Sequence, residues 1–204
     1  MATMTKKIYL EGLKSPYLTV VNAKDPSKTR QVGPFSNTIR PFTVNGKQTI
    51  VYVNVNDFLG FEAGDLITGK KLYSAQVKGY EKGEVKRHAC PSHGIALSPD
   101  EKEVWISDGH NQKIHVFNVN NKEATQIATI DVRDQPGWIT FSKDGVYAYA
   151  STGEVIDSKT KEIMYTLQDE NGLPVHSEKL LEIDFKANKA IDAADQFGLG
   201  RVYR

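Results

Sequence analysis

The sequence predicts an all-β chain: a β-propeller of four-stranded antiparallel blades, about four to five of them, in an open or incomplete ring. Three observations lead there. Short apolar runs, rich in β-branched and aromatic residues, are separated by turn residues along the whole chain. They alternate with period two, and no segment sustains a helical period. They also recur as a quartet. Gly94-Ile95 and Trp138-Ile139 open equivalent strands 44 residues apart, a spacing in the range of one propeller blade.

With the strands of a blade lettered A to D from inside to outside, the clearest copy has A at 94–97, B at 104–107, C at 113–118 and D at 125–132. Ser98-Pro99-Asp100, Asp108-Gly109 and Asn120-Asn121 supply its turns, because Pro presets φ and Asx side chains bond the backbone two residues on. The preceding blade is expected at 40–45, 49–55, 59–63 and 71–77, and the following one at 138–142, 147–150, 154–157 and 162–167. The C-to-D turns share a signature. Asp65 or Asp157 caps the turn, Gly69 or Lys161 takes the tight position, and Thr68 or Thr160 leads into the next strand; residues 23–29 offer a third version ending in Thr29.

The two ends are partial. Strands at 7–11, 16–22 and 30–33 read as B, C and D with no A. Strands at 180–185 and 189–193 read as A and B, with 200–203 as a third. These partial blades overlap instead of complementing each other, so an exchange of strands between the ends does not close the ring. An open arc exposes interblade faces and strand edges, and self-association through the open ends is the expectation.

At 204 residues the chain is expected to form a single domain with a sizeable core. Its 26 Lys and Arg balance 25 Asp and Glu, interspersed, for a net charge of +1. That balance excludes the basic footprint of a nucleic-acid binder. Glu81 and Glu84 break the basic run at 78–87, which reads as a solvated loop. Cys90 is the single cysteine, so no intrachain disulfide and no all-cysteine metal site can form. Residues 1–7 lack an apolar segment, and no run approaches membrane-spanning length. The expectation is a chain without signal peptide or membrane insertion, cytoplasmic as it stands and extracytoplasmic if further amino-terminal sequence precedes it.

The segment Gly94-Ile95 to Ser98-Pro99-Asp100, then Val104-Trp105-Ile106-Ser107-Asp108, together with the Asp157 to Lys161 turn, resembles the YVTN-repeat β-propellers. These include surface-layer-type propellers and are similar in fold to quinoprotein amine dehydrogenases and lactonase propellers. Residues 86–95, 136–141 and 178–182 look like a bacterial subgroup. The resemblance extends over nearly the whole chain and matches the carboxy-terminal part of such a member, which commonly carries about seven blades. It implies a scaffold and leaves the chemistry to the site.

Two candidate constellations follow from the residues. His88, Cys90, His93 and His110 combine imidazole and thiolate, ligand types suited to zinc or copper, although their spacing matches no standard zinc pattern. Arg40, His93, Glu178 and Lys179 sit at the entrances of A strands and are expected to ring one mouth of the channel. With Asp108 in the loop after a B strand and Trp138 as a stacking surface, they form the candidate ligand-binding set. Gly198 and Gly200 lack the helix and the remaining residues of a dinucleotide fingerprint, and no nucleophile elbow, phosphate loop or zincin motif is present. Two functional classes remain. One is a binding or scaffolding module for a protein or small polar ligand. The other is a metal-dependent or quinoprotein-like enzyme of lactonase or lyase type using the polar rim.

Overall fold

The structure is a computed structural model that describes residues 7–12, 14–84, 90–177 and 180–193. Among these, blade 1 holds β1 (Lys7–Glu11), β2 (Leu18–Asn22) and β3 (Arg30–Val32). Blade 2 holds β4 (Ile39–Val44), β5 (Ile50–Val55), β6 (Gly60–Asp65) and β7 (Lys71–Gln76). Blade 3 holds β8 (Ile95–Leu97), β9 (Glu103–Asp108), β10 (Lys113–Asn118) and β11 (Thr125–Asp131). Blade 4 holds β12 (Ile139–Phe141), β13 (Tyr147–Ala150), β14 (Glu154–Asp157) and β15 (Ile163–Thr166). A terminal hairpin, β16 (Ile183–Lys186) and β17 (Lys189–Ala193), follows. Each sheet is an antiparallel meander in chain order. The only helical turn among the described residues is a 3-10 turn at Pro26–Lys28.

The strands fall where the alternation and turn residues place them. The main differences lie in blade 1, where pairing begins at Leu18 and not at Pro16, and in the hairpin, where it begins at Ile183 and not at 180. Pro16 has no N–H for a ladder, and its carbonyl instead receives the Phe35 N–H. The third strand expected at 200–203 lies outside the described residues.

Turn chemistry repeats at atomic detail. In the A-to-B turn of blade 3, Ser98 Oγ donates to Asp100 Oδ1 and accepts the Glu103 N–H. In blade 4, Ser142 and Asp144 make the same bonds with the Tyr147 N–H. Glu101 and Gly145 hold the same position of these turns, and both have positive φ, 61° and 75°. In the C-to-D turns, Asp65 Oδ1 accepts the N–H groups of Ile67 and Thr68, and Asp157 Oδ1 accepts those of Lys159 and Thr160. Gly69 and Lys161 take the left-handed position, with φ of 78° and 68°.

The inner strands β4, β8 and β12 lie side by side, with β1 next to β4, so the blades form an arc. Period-two alternation lets each sheet bury one set of side chains on the blade before it and the other on the blade after it. Leu18, Val20 and Val32 of blade 1 pack on Ile39, Val51 and Val53 of blade 2. Tyr52, Phe61 and Ala75 of blade 2 pack on Ile95, Ile106 and Phe117 of blade 3. Trp105, Ile114 and Val116 of blade 3 pack on Phe141, Ala148 and Ile156 of blade 4. The hairpin is attached differently. Lys143 bonds Asp184 and Asp192, and its N–H donates to Glu182 at 2.7 Å. All of β17 is exposed.

Candidate functional site

The ladder register aligns the blades residue by residue. Phe42 pairs with Val53, Ile95 with Ile106 and Ile139 with Ala150. The positions ahead of these pairs therefore correspond: Arg40, His93 and Gly137, then Pro41, Gly94 and Trp138. The polar rim expected from the sequence rests on this equivalence. The structure brings Arg40, His93 and Trp138 to the same end of three consecutive inner strands. Arg40 is half-buried, and its Nε donates to Asn56 Oδ1 at 2.7 Å. The β4 ladder shifts register between Ile39 and Phe42, at Arg40 and Pro41. His93, also half-buried, lies with Nδ1 3.2 Å from the Gly137 carbonyl oxygen and its ring 6.4 Å from that of Trp138. It thereby ties blade 3 to blade 4. Trp138 is largely buried. Arg40 exerts an opposing charge on Glu11, the last residue of β1, whose carboxyl desolvation holds above its ordinary value. Glu178 and Lys179 lie outside the described residues.

The same alignment exposes a departure that sequence reading missed. The B-strand residue facing each inner-strand entrance is Asn54, Ser107 or Ser151. Ser107 Oγ accepts the Gly94 N–H at 2.7 Å, and Ser151 Oγ accepts those of Gly137 and Trp138. In blade 2 the corresponding donor would be residue 41, which is proline. Asn54 is fully buried, and neither its amide nitrogen nor its oxygen has a partner among the described residues. Proline removes the N–H that the other two blades use.

Of the metal candidates, His88 lies outside the described residues. Cys90 is buried, and its thiol donates to the Val55 carbonyl at 3.4 Å. Burial pushes that thiol up to about 12, against the pull of the Ser92 N–H and the Arg40 charge. His93 is engaged with Gly137, and His110 is exposed. Among the described residues no group of three or more His, Cys, Asp or Glu side chains converges in a way that would hold a metal.

Asp108 is buried and fully used. It accepts the Asn111 N–H at 2.9 Å, the Asn111 amide at 2.8 Å and His115 Nε2 at 3.1 Å. Burial opposes its ionisation, but the bonds from His115 and Asn111 outweigh burial and hold the carboxyl below its ordinary value. His115 Nδ1 lies 3.0 Å from Thr129 Oγ1, and the Tyr80 ring sits 5.1 Å above the imidazole. Both side chains of this Asp–His pair are buried, and their bond links β9 to β10.

His115 has counterparts. Counting back three residues from the turn Asx gives Glu62 from Asp65, His115 from Asn118 and Glu154 from Asp157, all buried on C strands. Each faces the preceding blade and fastens the connection entering its own blade. Glu62 accepts the Ser36 N–H and the Ser74 hydroxyl, each at 2.8 Å, and pairs with Lys71. Glu154 accepts the Arg133 N–H at 2.8 Å. His115 carries Tyr80 of the incoming connection. The signal was present as a polar residue at a fixed offset from each turn, but unequal connection lengths hid it from a fixed-period search.

Separately, a groove of about 550 Å³ runs between the outer strands of blades 2 and 3, away from the rim. Phe117, Tyr80, Glu123 and Gln126 line it, and the Lys78 N–H bridges it to Gln126 at 2.8 Å. No described helix is long and apolar enough to cross a membrane.

No family model matches the sequence, and no curated protein matches it either. Solved structures do. Hydrazine synthase of Kuenenia stuttgartiensis superposes with a TM-score of 0.67 at 16% identity, over 87% of this chain and 49% of its own. Dihydro-heme d1 dehydrogenase NirN, in complex with DHE, gives 0.63 at 16% identity, over 88% and 37%. Apo AztD of Citrobacter koseri gives 0.52 at 16% identity, over 66% and 35%. This chain thus spans half or less of the length of each. All three are β-propeller-type proteins, and likeness at this identity shows the fold: the chain is an open, all-β, propeller-type module.

Proposed function

We propose that this chain is a YVTN-type propeller module that binds a small polar or anionic ligand at the rim formed by Arg40, His93 and Trp138. One observation carries the reading. Arg40 and His93 occupy the same inner-strand position in adjacent blades, and Arg40 is held by Asn56 through Nε alone. That bond orients the guanidinium and leaves its terminal amino groups, which form no other bond among the described residues, for a carboxylate or phosphate. By contrast, the buried acids and His115 are consumed by the scaffold. Glu178 and Lys179 belong to the same proposed set, while Asp108, its remaining member, is bonded to Asn111 and His115.

The test is a thermal-shift titration with succinate, citrate and inorganic phosphate. A ligand that binds only the folded state raises Tm with concentration. The expected result is a rise in the wild type that is abolished in Arg40→Gln and reduced in His93→Gln. Glu11→Gln, which removes the competing negative charge, should strengthen anion binding. An equal rise in wild type and Arg40→Gln, or none with any of the three anions, would sink the anion-site reading. The competing proposal, a metal-dependent or quinoprotein-like enzyme of lactonase or lyase type, makes a separate prediction. Stoichiometric zinc or copper, found by elemental analysis in wild type and lost in His93→Ala, would replace the binding-module reading.

A further inference from the structure

We propose that Asn171-Gly172 is a site of spontaneous covalent modification, where asparagine converts to aspartate and isoaspartate while the blades stay folded. The chemistry belongs to Asn-Gly sequences. The glycine nitrogen attacks the amide carbon of the asparagine side chain. A new C–N bond closes a five-membered imide, the bond to the side-chain nitrogen breaks, and ammonia leaves with the proton that the glycine nitrogen gives up. Water then opens the imide at either carbonyl, giving aspartate or isoaspartate. Glycine favours the closure because it has no Cβ to obstruct it.

The chain has two such pairs, Asn45-Gly46 and Asn171-Gly172, and the structure sets them apart. At the first, both reacting groups are held. Asn45 Oδ1 accepts the N–H groups of Thr49 and Ile50 at 2.8 and 2.9 Å, and Asn45 Nδ2 donates to Thr49 Oγ1 at 2.9 Å. The Gly46 N–H donates to Glu101 Oε1, in a turn of the next blade, at 2.5 Å. Ring closure there would break all four bonds.

The second pair sits at the tip of a turn after β15, and residues 168–174 are all exposed. Every bond that holds it comes from one neighbour, Asp169. The Asp169 carboxylate accepts the Asn171 and Leu173 N–H groups at 2.9 Å each and a bond from the Asn171 side chain, and its carbonyl accepts the Gly172 N–H at 3.0 Å. Water competes for each of these bonds, so the tip opens at low cost. A Cβ placed on Gly172 would meet nothing within 4 Å, which leaves room for the rearrangement. The base of the turn is fastened separately. The Val175 N–H donates to the Leu167 carbonyl at 2.8 Å, and the Val175 carbonyl accepts Arg133 at 2.5 Å. None of the tip residues belongs to an interblade cluster. The modification therefore changes the tip alone. It adds a third carboxylate after Asp169 and Glu170, and isoaspartate also lengthens the main chain by one carbon.

The test is incubation of the folded full chain in mildly alkaline buffer at physiological temperature, followed by peptide mapping with mass spectrometry. Exchange of amide for acid is read from the mass, and aspartate and isoaspartate from two separable peptides of equal mass. Conversion at Asn171 is expected to run at least about tenfold faster than at Asn45, whose four bonds must break first. In concentrated denaturant, where neither site is held, the two rates should come together. The modified protein should keep the Tm of the fresh one, and Asn171→Ser should remove the early modified species. Three outcomes overturn the proposal: no conversion at Asn171 in the folded chain, conversion at Asn45 as fast or faster, or a rate ratio in denaturant as large as in buffer. The last would place the difference in neighbouring sequence and not in the fold.

Discussion

Asn54 departs from its counterparts Ser107 and Ser151. Its side chain is fully buried with both polar atoms unpartnered among the described residues, and Pro41 has no N–H to offer its oxygen where Gly94 and Trp138 have one. An unmet buried amide costs about 1–3 kcal/mol. Asn54→Leu removes both polar atoms at similar volume, and thermal melts should show a Tm higher by a few degrees, about 2–4 °C per kcal/mol for a chain of this size. Pro41→Gly restores a donor and should give a smaller gain, offset by the freedom glycine adds to the unfolded chain. Nothing in the sequence at Asn54 flags this, since a lone Asn near a strand end reads as a turn residue. It becomes visible only once the ladder register sets Asn54 beside Ser107 and Ser151. The proposed rim residues Arg40, His93 and Trp138 were singled out because each lies at the entrance of an apolar inner strand, a position legible from alternation alone.

At the scale of the element, the turns and the C strands divide the work. The Asx turns were legible because their chemistry is local: Asp65 and Asp157 bond N–H groups two and three residues on. The buried polar residues of the C strands act over long sequence separations, and no local pattern reveals their partners. Glu62 shows what such a residue contributes. Burial opposes its ionisation, yet bonds from Lys71, the Ser36 N–H and Ser74 hold its carboxyl below its ordinary value of 4.5. That bonding is present above the unfolded value and is lost as pH falls through the folded one. Glu62→Ala leaves the Ser36 N–H without its acceptor and is expected to cost about 3 kcal/mol in urea denaturation. Glu62→Gln, which keeps an acceptor oxygen, should recover part of that loss. Equal stability of all three proteins would show that the incoming connection is held by other contacts.

At the scale of the whole molecule, the arc behaves as a row of sheets, each coupled mainly to its neighbours. The number of blades and their strand quartets were legible because the repeat is written in alternation and turns. The way the last unit is attached was not. Blades 1 to 4 are joined by apolar clusters, while the hairpin is held to blade 4 by Lys143, Asp184 and Asp192. Two short strands at residues 183–193 look like any other pair until the facing side chains are known.

The Lys143 junction is a join whose strength depends on pH. The Lys143 bond holds the Asp192 carboxyl below its ordinary 3.8, and bonds to Asp184 and Asp192 hold the Lys143 ammonium above its ordinary 10.5. The attachment is therefore complete between those two values. It weakens as pH falls below 3.8 and as pH rises above 10.5. Carbon–carbon contacts between blades 1 to 4 carry no such dependence. In native-state hydrogen exchange, the amides of β16 and β17 should exchange fastest at neutral pH, and their protection should fall further toward pH 3 than that of β13. Salt should mimic acid at this one junction, because an exposed ion pair is screened and an apolar seam is not. Lys143→Met, tested at neutral pH, is expected to release the hairpin alone, giving a protein with four protected sheets and one frayed end.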